Sequence, residues 1–176
     1  MNKILVAIDG AEHSEKTLKS AVKIAKEKNS DLVILYACSQ DTPSKNQLKF
    51  AEDNYGRKFR NLVTGKELPS FSVADSDGVK SISEYMQARE KLCKQYGTDV
   101  LERAVTIAKS AGAGARIETV IQRGEITKTI LDVASKETVD TIVVGNCNKG
   151  MIASFFSGCT ARDILKKANC EAIIVD

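Results

Sequence analysis

Short apolar runs alternate along the chain with amphipathic segments, and this alternation predicts the fold class. The segments "KILVAID", "DLVILYAC" and "DTIVVG" consist mainly of β-branched and aliphatic residues. Such runs are typical of strands that are buried on both faces of a parallel sheet. The first run is followed by "SEKTLKSAVKIAKEKN", whose apolar residues recur at helical spacing. The chain therefore begins with the pattern strand, helix, strand.

The second half of the chain repeats the same alternation. "TDVLERAVTIAKSAG" predicts a helix that ends at Gly112, and "ARIETVIQRG" predicts a strand. "EITKTILDVASKETV" and "TARDILKKAN" predict helices on either side of the strand "DTIVVG", and "EAIIVD" predicts a closing strand. This order predicts an α/β fold, an open five-stranded parallel sheet with helices on both faces. Right-handed crossovers leave few other ways to arrange it.

One long segment interrupts this rhythm after the second strand. Residues 39–97 contain both prolines of the chain and a polar run, "FSVADSDGVKS". A connection of this length usually forms a lid, a binding element or a disordered segment. Its parts "SKNQLKFAEDNYGRKFRNL" and "VKSISEYMQAREKLCKQY" could each form a helix, and Phe50, Tyr55 and Phe59 indicate one apolar face. We predict one domain over residues 1–176, with an insert at about 39–97 that packs loosely on the surface, mediates self-association or binds a partner.

Composition narrows the function classes. The chain has 176 residues, 43% of them hydrophobic and 28% charged, with a net charge of +3. Basic residues are interleaved with acidic ones, which argues against a nucleic-acid interface. The five cysteines form no CxxC pair, so reduced thiols are expected rather than disulfides or structural zinc. No apolar run approaches the roughly 20 residues that span a bilayer. We expect a cytoplasmic protein without a membrane span.

The predicted strand ends indicate where a ligand would bind. Asp9, Cys38 and Gly145 each lie at the end of a predicted strand, and the carboxyl ends of parallel strands form one rim. The stretch "GNCNKGM" is not a Walker A loop, because Met151 and Ile152 stand where lysine and serine or threonine are needed. The dinucleotide pattern GxGxxG is also missing, since "DGAEHS" follows the first strand.

A weaker phosphate-binding pattern remains after the strand "DTIVVG". Gly145 lets the backbone approach a ligand closely, and Asn148 tolerates a left-handed backbone. Gly158 precedes a predicted helix that begins near Thr160. The free N–H groups at a helix start favour an anion. These residues predict a phosphate cradle.

The segments "ILVAIDGAEHSEKTLKSAVKIA", "RGEITKTILDVASKETVDTIVVG" and "VVGNCNKGMIASFFSGCTARDILKKANCEAIIVD" together resemble the universal stress protein family. The resemblance covers about residues 1–38 and 98–176. It implies a five-stranded parallel sheet, ATP binding in some members, and a homodimer formed partly through the C-terminal edge strand.

The resemblance also implies roles for individual residues. In nucleotide-binding members the phosphates lie on a pattern G-x2-G-x9-G-[S/T] after the fourth strand. Gly145 and Gly158 match its first and third glycines, Asn148 replaces the second, and Cys159 replaces the hydroxyl residue. Thr160 next to it supplies a hydroxyl. The family's nucleoside-contacting aspartate corresponds to Asp9, and its small residue at the adenine corresponds to Ala37.

These observations predict a stress-related regulatory protein that binds ATP or AMP, with or without Mg²⁺, and acts as a sensor rather than a metabolic enzyme. One alternative is a nucleotide-free dimeric scaffold that recruits an unknown protein through the insert. Another is a slow ATPase with magnesium at Asp9. His13, the single histidine, is interpreted as a loop residue without a role. Cys147 and Cys159 either form a redox-sensing pair or simply fill a tight turn.

Overall fold

The structure is a computed structural model, and it describes residues 2–66, 76–114, 116–146 and 160–175, except the side chains of residues 76–79. Its strands and helices are, in chain order, β1 (Lys3–Ile8), α1 (Ser14–Lys28), β2 (Asp31–Ser39), α2 (Lys45–Thr64), α3 (Ser76–Ser110), β3 (Ile117–Gly124), α4 (Ile126–Lys136), β4 (Thr141–Gly145), α5 (Thr160–Lys167) and β5 (Glu171–Val175). Within these ranges, no helix combines the length and the apolar character that crossing a membrane requires.

The five strands form one parallel sheet in the order β3-β2-β1-β4-β5. The α/β fold predicted from the alternation of apolar and amphipathic segments is confirmed. From β1 the chain moves outward to β2 and β3, whereas from β4 it moves outward in the opposite direction to β5. Because parallel crossovers are right-handed, these two halves place their helices on opposite faces of the sheet.

Both faces of the central strands are buried, as their continuous apolar sequences predict. On one face Leu5, Val33 and Ile142 pack in a cluster with Ile130 of α4 and Ile164 of α5. The alternate strand residues point to the opposite face, against which α1 packs, and they too are almost completely buried: Ile4, Val6, Leu32, Ile34 and Val143. Full burial of one aliphatic side chain is worth about 1.5–3 kcal/mol, so this double layer is the main source of stability of the sheet.

The chain divides into two compact units. The first consists of residues 1–40 and 99–176 and contains the whole sheet. The second consists of residues 41–98 and contains α2 and the first part of α3. The second unit therefore comprises nearly the same residues as the segment that interrupts the strand and helix alternation.

Both parts of this segment that could form helices are helical, but one boundary differs from the prediction. α2 begins at a capping box, in which Ser44 Oγ accepts from the Gln47 N–H and Gln47 Oε1 accepts from the Ser44 N–H. The helix predicted after residue 97 is not separate, because α3 runs without a break from Ser76 to Ser110. Gly97 lies inside it. A glycine in a helix interior costs only about 1 kcal/mol, and burial of Tyr96 and Val100 around it offsets that cost.

The aromatic residues of the second unit pack against one another and against α3. The ring centroids of Phe50 and Tyr96 are 5.4 Å apart, and those of Tyr55 and Phe59 are 4.7 Å apart. The Lys91 ammonium lies 4.4 Å from the Tyr55 centroid, within the range of a cation–π contact. The apolar face that the sequence indicates on α2 is therefore partly occupied inside its own unit, and its three aromatic side chains are only partly exposed.

A buried arginine joins three segments of the second unit. Arg89 is only 6% exposed. Its guanidinium donates to the backbone carbonyls of Asp41 and Val63 and to the hydroxyl of Tyr85. These acceptors lie before α2, at the end of α2 and one turn earlier on α3. Arg89 thus fixes the two ends of the α2 segment to the following helix.

Candidate functional site

The candidate site lies at the carboxyl ends of β1 and β4, where the chain order of the sheet reverses. These strands are neighbours, with Val6 opposite Val143. Because the chain leaves β1 and β4 in opposite directions, a crevice opens beyond their ends, and this is where open α/β sheets bind ligands. Asp9 directly follows β1, and Gly145 ends β4. Two of the residues predicted from the sequence therefore lie at this crevice.

The Asp9 carboxylate is held in a fixed orientation by the turn before α1. Its Oδ1 accepts from the Ala11 N–H at 2.9 Å and from the Ser14 hydroxyl. The Asp9 N–H donates to the same Ser14 hydroxyl at 3.3 Å. The other oxygen, Oδ2, lies 3.6 Å from Nε2 of His13, and the Asp9 side chain is 54% exposed. One oxygen is therefore used to position the group, and the carboxylate stays accessible to a ligand.

Gly145 is required by packing rather than by an unusual backbone angle. A Cβ added at this position would lie 2.9 Å from Oγ1 of Thr17 and 3.9 Å from Cδ2 of His13. Outside their own residue and its two chain neighbours, real Cβ atoms essentially never lie closer than 3.0 Å to a heavy atom. The missing side chain thus lets the first turn of α1 pack close to the end of β4. This contact is not predicted from the sequence, in which Gly145 is attributed to close approach of a ligand.

Ala37 lies near the end of β2 and belongs to the other face of the sheet. It is partly buried and packs against the core cluster under α4 and α5, and it pairs with Gln122 of β3. Ala37 and Gly145 thus border the end of β1 on opposite faces of the sheet.

Thr160 is the first residue of α5 and is partly exposed, while Ala161 after it is buried in the core cluster. The remaining predicted site residues, Asn148, Gly158 and Cys159, lie outside the described residues. The same holds for Cys147 and so for the predicted redox pair. The described cysteines, Cys38, Cys93 and Cys170, form no disulfide with one another.

Glu125 is a residue at the strand ends that the sequence argument missed. It follows β3 and caps α4, where its carboxylate accepts from the N–H groups of Thr127 at 2.9 Å and Lys128 at 2.8 Å. The hydrogen bond from the Lys128 N–H, supported by that from Thr127, lowers the pKa of Glu125 below its ordinary value. The sequence signal was an acidic residue at the start of an apolar helix, where Asp and Glu are enriched. This carboxylate already occupies the start of α4, so a second anion is disfavoured there.

His13 and Ser14 were also missed as members of the site. The sequence interprets His13 as a loop residue without a role, yet it borders both Asp9 and Gly145. In the part of the chain that the structure describes, no three His, Cys, Asp or Glu side chains come together as a metal site. Since two donors also occupy Oδ1 of Asp9, we assign no metal ligand.

Comparison with known proteins identifies the family. The profile of the universal stress protein family matches residues 1–176. The chain belongs to this family. Universal stress protein YxiE of Bacillus subtilis (strain 168) is 27% identical over 177 residues, which is 99% of this chain and 98% of that protein. Unlike the resemblance seen in the sequence, the family match includes residues 39–97.

Solved universal stress proteins share the fold. One in complex with cAMP superposes with a TM-score of 0.61 at 20% identity, covering 99% of this chain and 97% of that chain. The universal stress protein from Archaeoglobus fulgidus in complex with dAMP has a TM-score of 0.53 at 17% identity, covering 100% of this chain and 98% of the other. At these identities the comparison establishes the universal stress protein fold, with its parallel five-stranded sheet.

Proposed function

We propose that this chain is a cytoplasmic, stress-related regulatory protein that binds ATP or AMP beyond the carboxyl ends of β1 and β4. The observation that carries the proposal is the Asp9 carboxylate. It stands at the crevice, with one oxygen fixed by Ser14 and Ala11 and with its side chain more than half exposed. A pre-oriented acceptor at a strand end suits the hydroxyl groups of a nucleoside.

The other residues of the proposed site differ in the part of the nucleotide that they would contact. Ala37 offers a small apolar surface for the adenine ring. Gly145 and Thr160 flank the loop in which Asn148, Gly158 and Cys159 would complete a phosphate cradle, mainly through backbone N–H groups. The two relatives crystallised with cAMP and dAMP support an adenine nucleotide as the ligand class. Mg²⁺ would then be coordinated by the triphosphate rather than by side chains of the protein.

The proposal is tested by replacing Asp9 with asparagine. Asn keeps an Oδ1 acceptor for Ser14 and Ala11 but turns the free oxygen into an NH₂ donor. A hydrogen bond to a charged group is worth about 1.5–3 kcal/mol when buried. Because the site is half exposed, we expect Kd for ATP and AMP to rise about tenfold. Isothermal titration calorimetry measures the change, and Asp132→Asn, an exposed position on α4, is the matched control.

Two further measurements decide whether nucleotide binds at all. Ligand at 100 times Kd stabilises the folded state by about 2.7 kcal/mol, so ATP with Mg²⁺ should raise the melting temperature. Denaturing freshly purified protein should release adenine nucleotide, which chromatography detects. A flat titration at millimolar ATP together with an unchanged melting temperature would refute the proposal.

A second candidate, a dimeric scaffold, is favoured by the edge strand β5. β5 is the last strand of the sheet, and Ala172, Ile173, Ile174 and Val175 are each partly exposed. Ala172 and Ile174 pack on the core cluster, so Ile173 points to the opposite face. We expect Ile173→Lys to shift a dimer towards monomer, whereas Leu165→Lys on α5 should not. Sedimentation velocity measures both, and a monomeric parent protein would exclude the scaffold.

A further inference from the structure

The imidazole of His13 lies next to both Asp9 and Gly145, the two residues of the proposed nucleotide site that lie at the crevice. Its Nε2 lies 3.6 Å from Oδ2 of Asp9, and its Cδ2 lies 3.9 Å from the point where a Cβ of residue 145 would stand. The His13 side chain is 35% exposed. The edge formed by Nε2 and Cδ2 therefore faces the crevice between the ends of β1 and β4, and a ligand can reach it.

A phosphate at the end of β4 meets an electrostatic problem in this crevice. The Asp9 carboxylate stands close by and carries a negative charge that repels an anion. At an effective dielectric constant of about 20, two like charges 4 Å apart repel each other by several kcal/mol. A neighbouring cation can cancel that repulsion. His13 is a group that can become a cation and that contacts both Asp9 and the position of Gly145.

We propose that His13 is a specificity-determining residue, which selects phosphorylated adenine nucleotides over the bare nucleoside by presenting its imidazole to a phosphate beside Gly145. This inference rests on the proposed function and assigns a role that neither the glycine pattern nor Asp9 supplies. Asp9 recognises the nucleoside, which adenosine and its nucleotides share. His13 recognises the charge that distinguishes them.

Among the described residues, the charged group in contact with the imidazole is the Asp9 carboxylate. β4 contributes the uncharged Gly145, and α1 contributes the uncharged Thr17, whose backbone N–H donates to the His13 carbonyl at 3.4 Å. Histidine side chains generally take up a proton between pH 8 and pH 5. Binding of a phosphate favours the protonated form, so phosphate selectivity should increase as the pH falls.

The test compares cAMP with adenosine by calorimetry on the full chain at pH 6 and pH 8. cAMP is a phosphodiester, so its own charge stays constant over this range, unlike that of a phosphate monoester. The parent protein should prefer cAMP over adenosine about threefold to tenfold more strongly at pH 6 than at pH 8. His13→Asn, which is polar but cannot become a cation, should lose this pH dependence while retaining its affinity for adenosine. His13→Lys, a permanent cation, should keep the selectivity at both pH values.

The outcomes separate this inference from the proposed function. If the parent protein and His13→Asn show the same ratio of the two Kd values at both pH values, His13 does not contact a phosphate, and the proposed nucleotide site still stands. The same conclusion follows if His13→Asn weakens adenosine and cAMP equally, because that indicates a merely structural role. If the parent protein binds neither ligand and no ATP, the proposed function fails and this inference fails with it.

Discussion

The buried Arg89 in the second unit makes a sharp prediction about what stabilises that unit. Replacing it with methionine keeps an unbranched side chain of similar reach but removes every donor. The guanidinium lies at 3.3 Å from the Tyr85 hydroxyl and 3.5 Å from the Val63 carbonyl, and it also donates to the Asp41 carbonyl. Hydrogen bonds from a charged donor are worth about 1.5–3 kcal/mol each. The 3.5 Å hydrogen bond to Val63 is counted as weak, and the cost of burying the charge is subtracted. The second unit should therefore lose about 2–4 kcal/mol of its free energy of unfolding.

The matched control is Arg103→Met on the same helix. Arg103 is 59% exposed and pairs with Asp99 one turn earlier. An exposed pair at this spacing contributes only about 0.3–0.5 kcal/mol. The two substitutions delete the same chemical group, so the difference between their effects isolates the contribution of burial and of the acceptors around Arg89.

Native-state hydrogen exchange is the suitable assay, because two compact units need not unfold as one. Arg89→Met should speed amide exchange in α2 and in residues 80–98 of α3, and leave exchange in β1, β2 and β4 unchanged. Arg103→Met should change exchange in neither region appreciably. Equal losses of protection in the two variants would refute the conclusion that Arg89 holds the second unit together.

Three further predictions follow from single residues. Gly56 has φ 81° and ψ 173°, and no atom lies within 4 Å of an added Cβ. Gly56→Ala should therefore lower the free energy of unfolding by about 1–3 kcal/mol through backbone strain alone. Gly114 is equally open but has no positive φ, so Gly114→Ala should be neutral or slightly stabilising in urea unfolding. Gly145→Ala should destabilise the protein by about 1–3 kcal/mol, because the added Cβ clashes with Thr17. Adding Thr17→Ala to this variant should recover part of the lost stability. If thermal melts show that the effects of the two substitutions are strictly additive, this contact is contradicted. Glu125→Gln should cost about 0.5 kcal/mol at pH 7, the low end for a lost helix cap, because the side chain is exposed to solvent. Backbone hydrogen bonds lower the pKa of the native carboxyl, so this contribution is present above the unfolded pKa of about 4.3 and is lost as pH falls through the native value. A stability difference that persists at pH 2 would be contrary evidence.

The fold could be predicted from the sequence because parallel sheets have an unusually direct signature. Runs such as "KILVAID" and "DLVILYAC" are apolar at consecutive positions, and a strand that is covered on both faces buries every side chain of such a run. The helices between them follow from apolar residues at helical spacing. The break after residue 97 was wrong for an equally local reason. A lone glycine is weak evidence for a helix end when buried side chains on both sides hold the helix together.

The candidate site was only partly predictable. Asp9 and Gly145 could be placed at the crevice from strand ends alone, because the carboxyl ends of parallel strands meet at one edge. The contact between Gly145 and Thr17 could not be predicted, since these residues are 128 positions apart in the sequence and the contact depends on where α1 packs. The same applies to His13, which a sequence can describe only as a lone loop histidine.

By itself, the sequence determined which segments become strands and helices, that the sheet is parallel, and which residues follow its strands. Those features depend on the polarity of neighbours a few positions apart, which the printed chain displays directly. Only the tertiary structure decided that α1 lies against the end of β4, that His13 borders Gly145, and that Arg89 joins the ends of α2 to α3. Each of these contacts joins separate segments, and its geometry is fixed by the packing of the elements between them, not by any local preference of the residues involved.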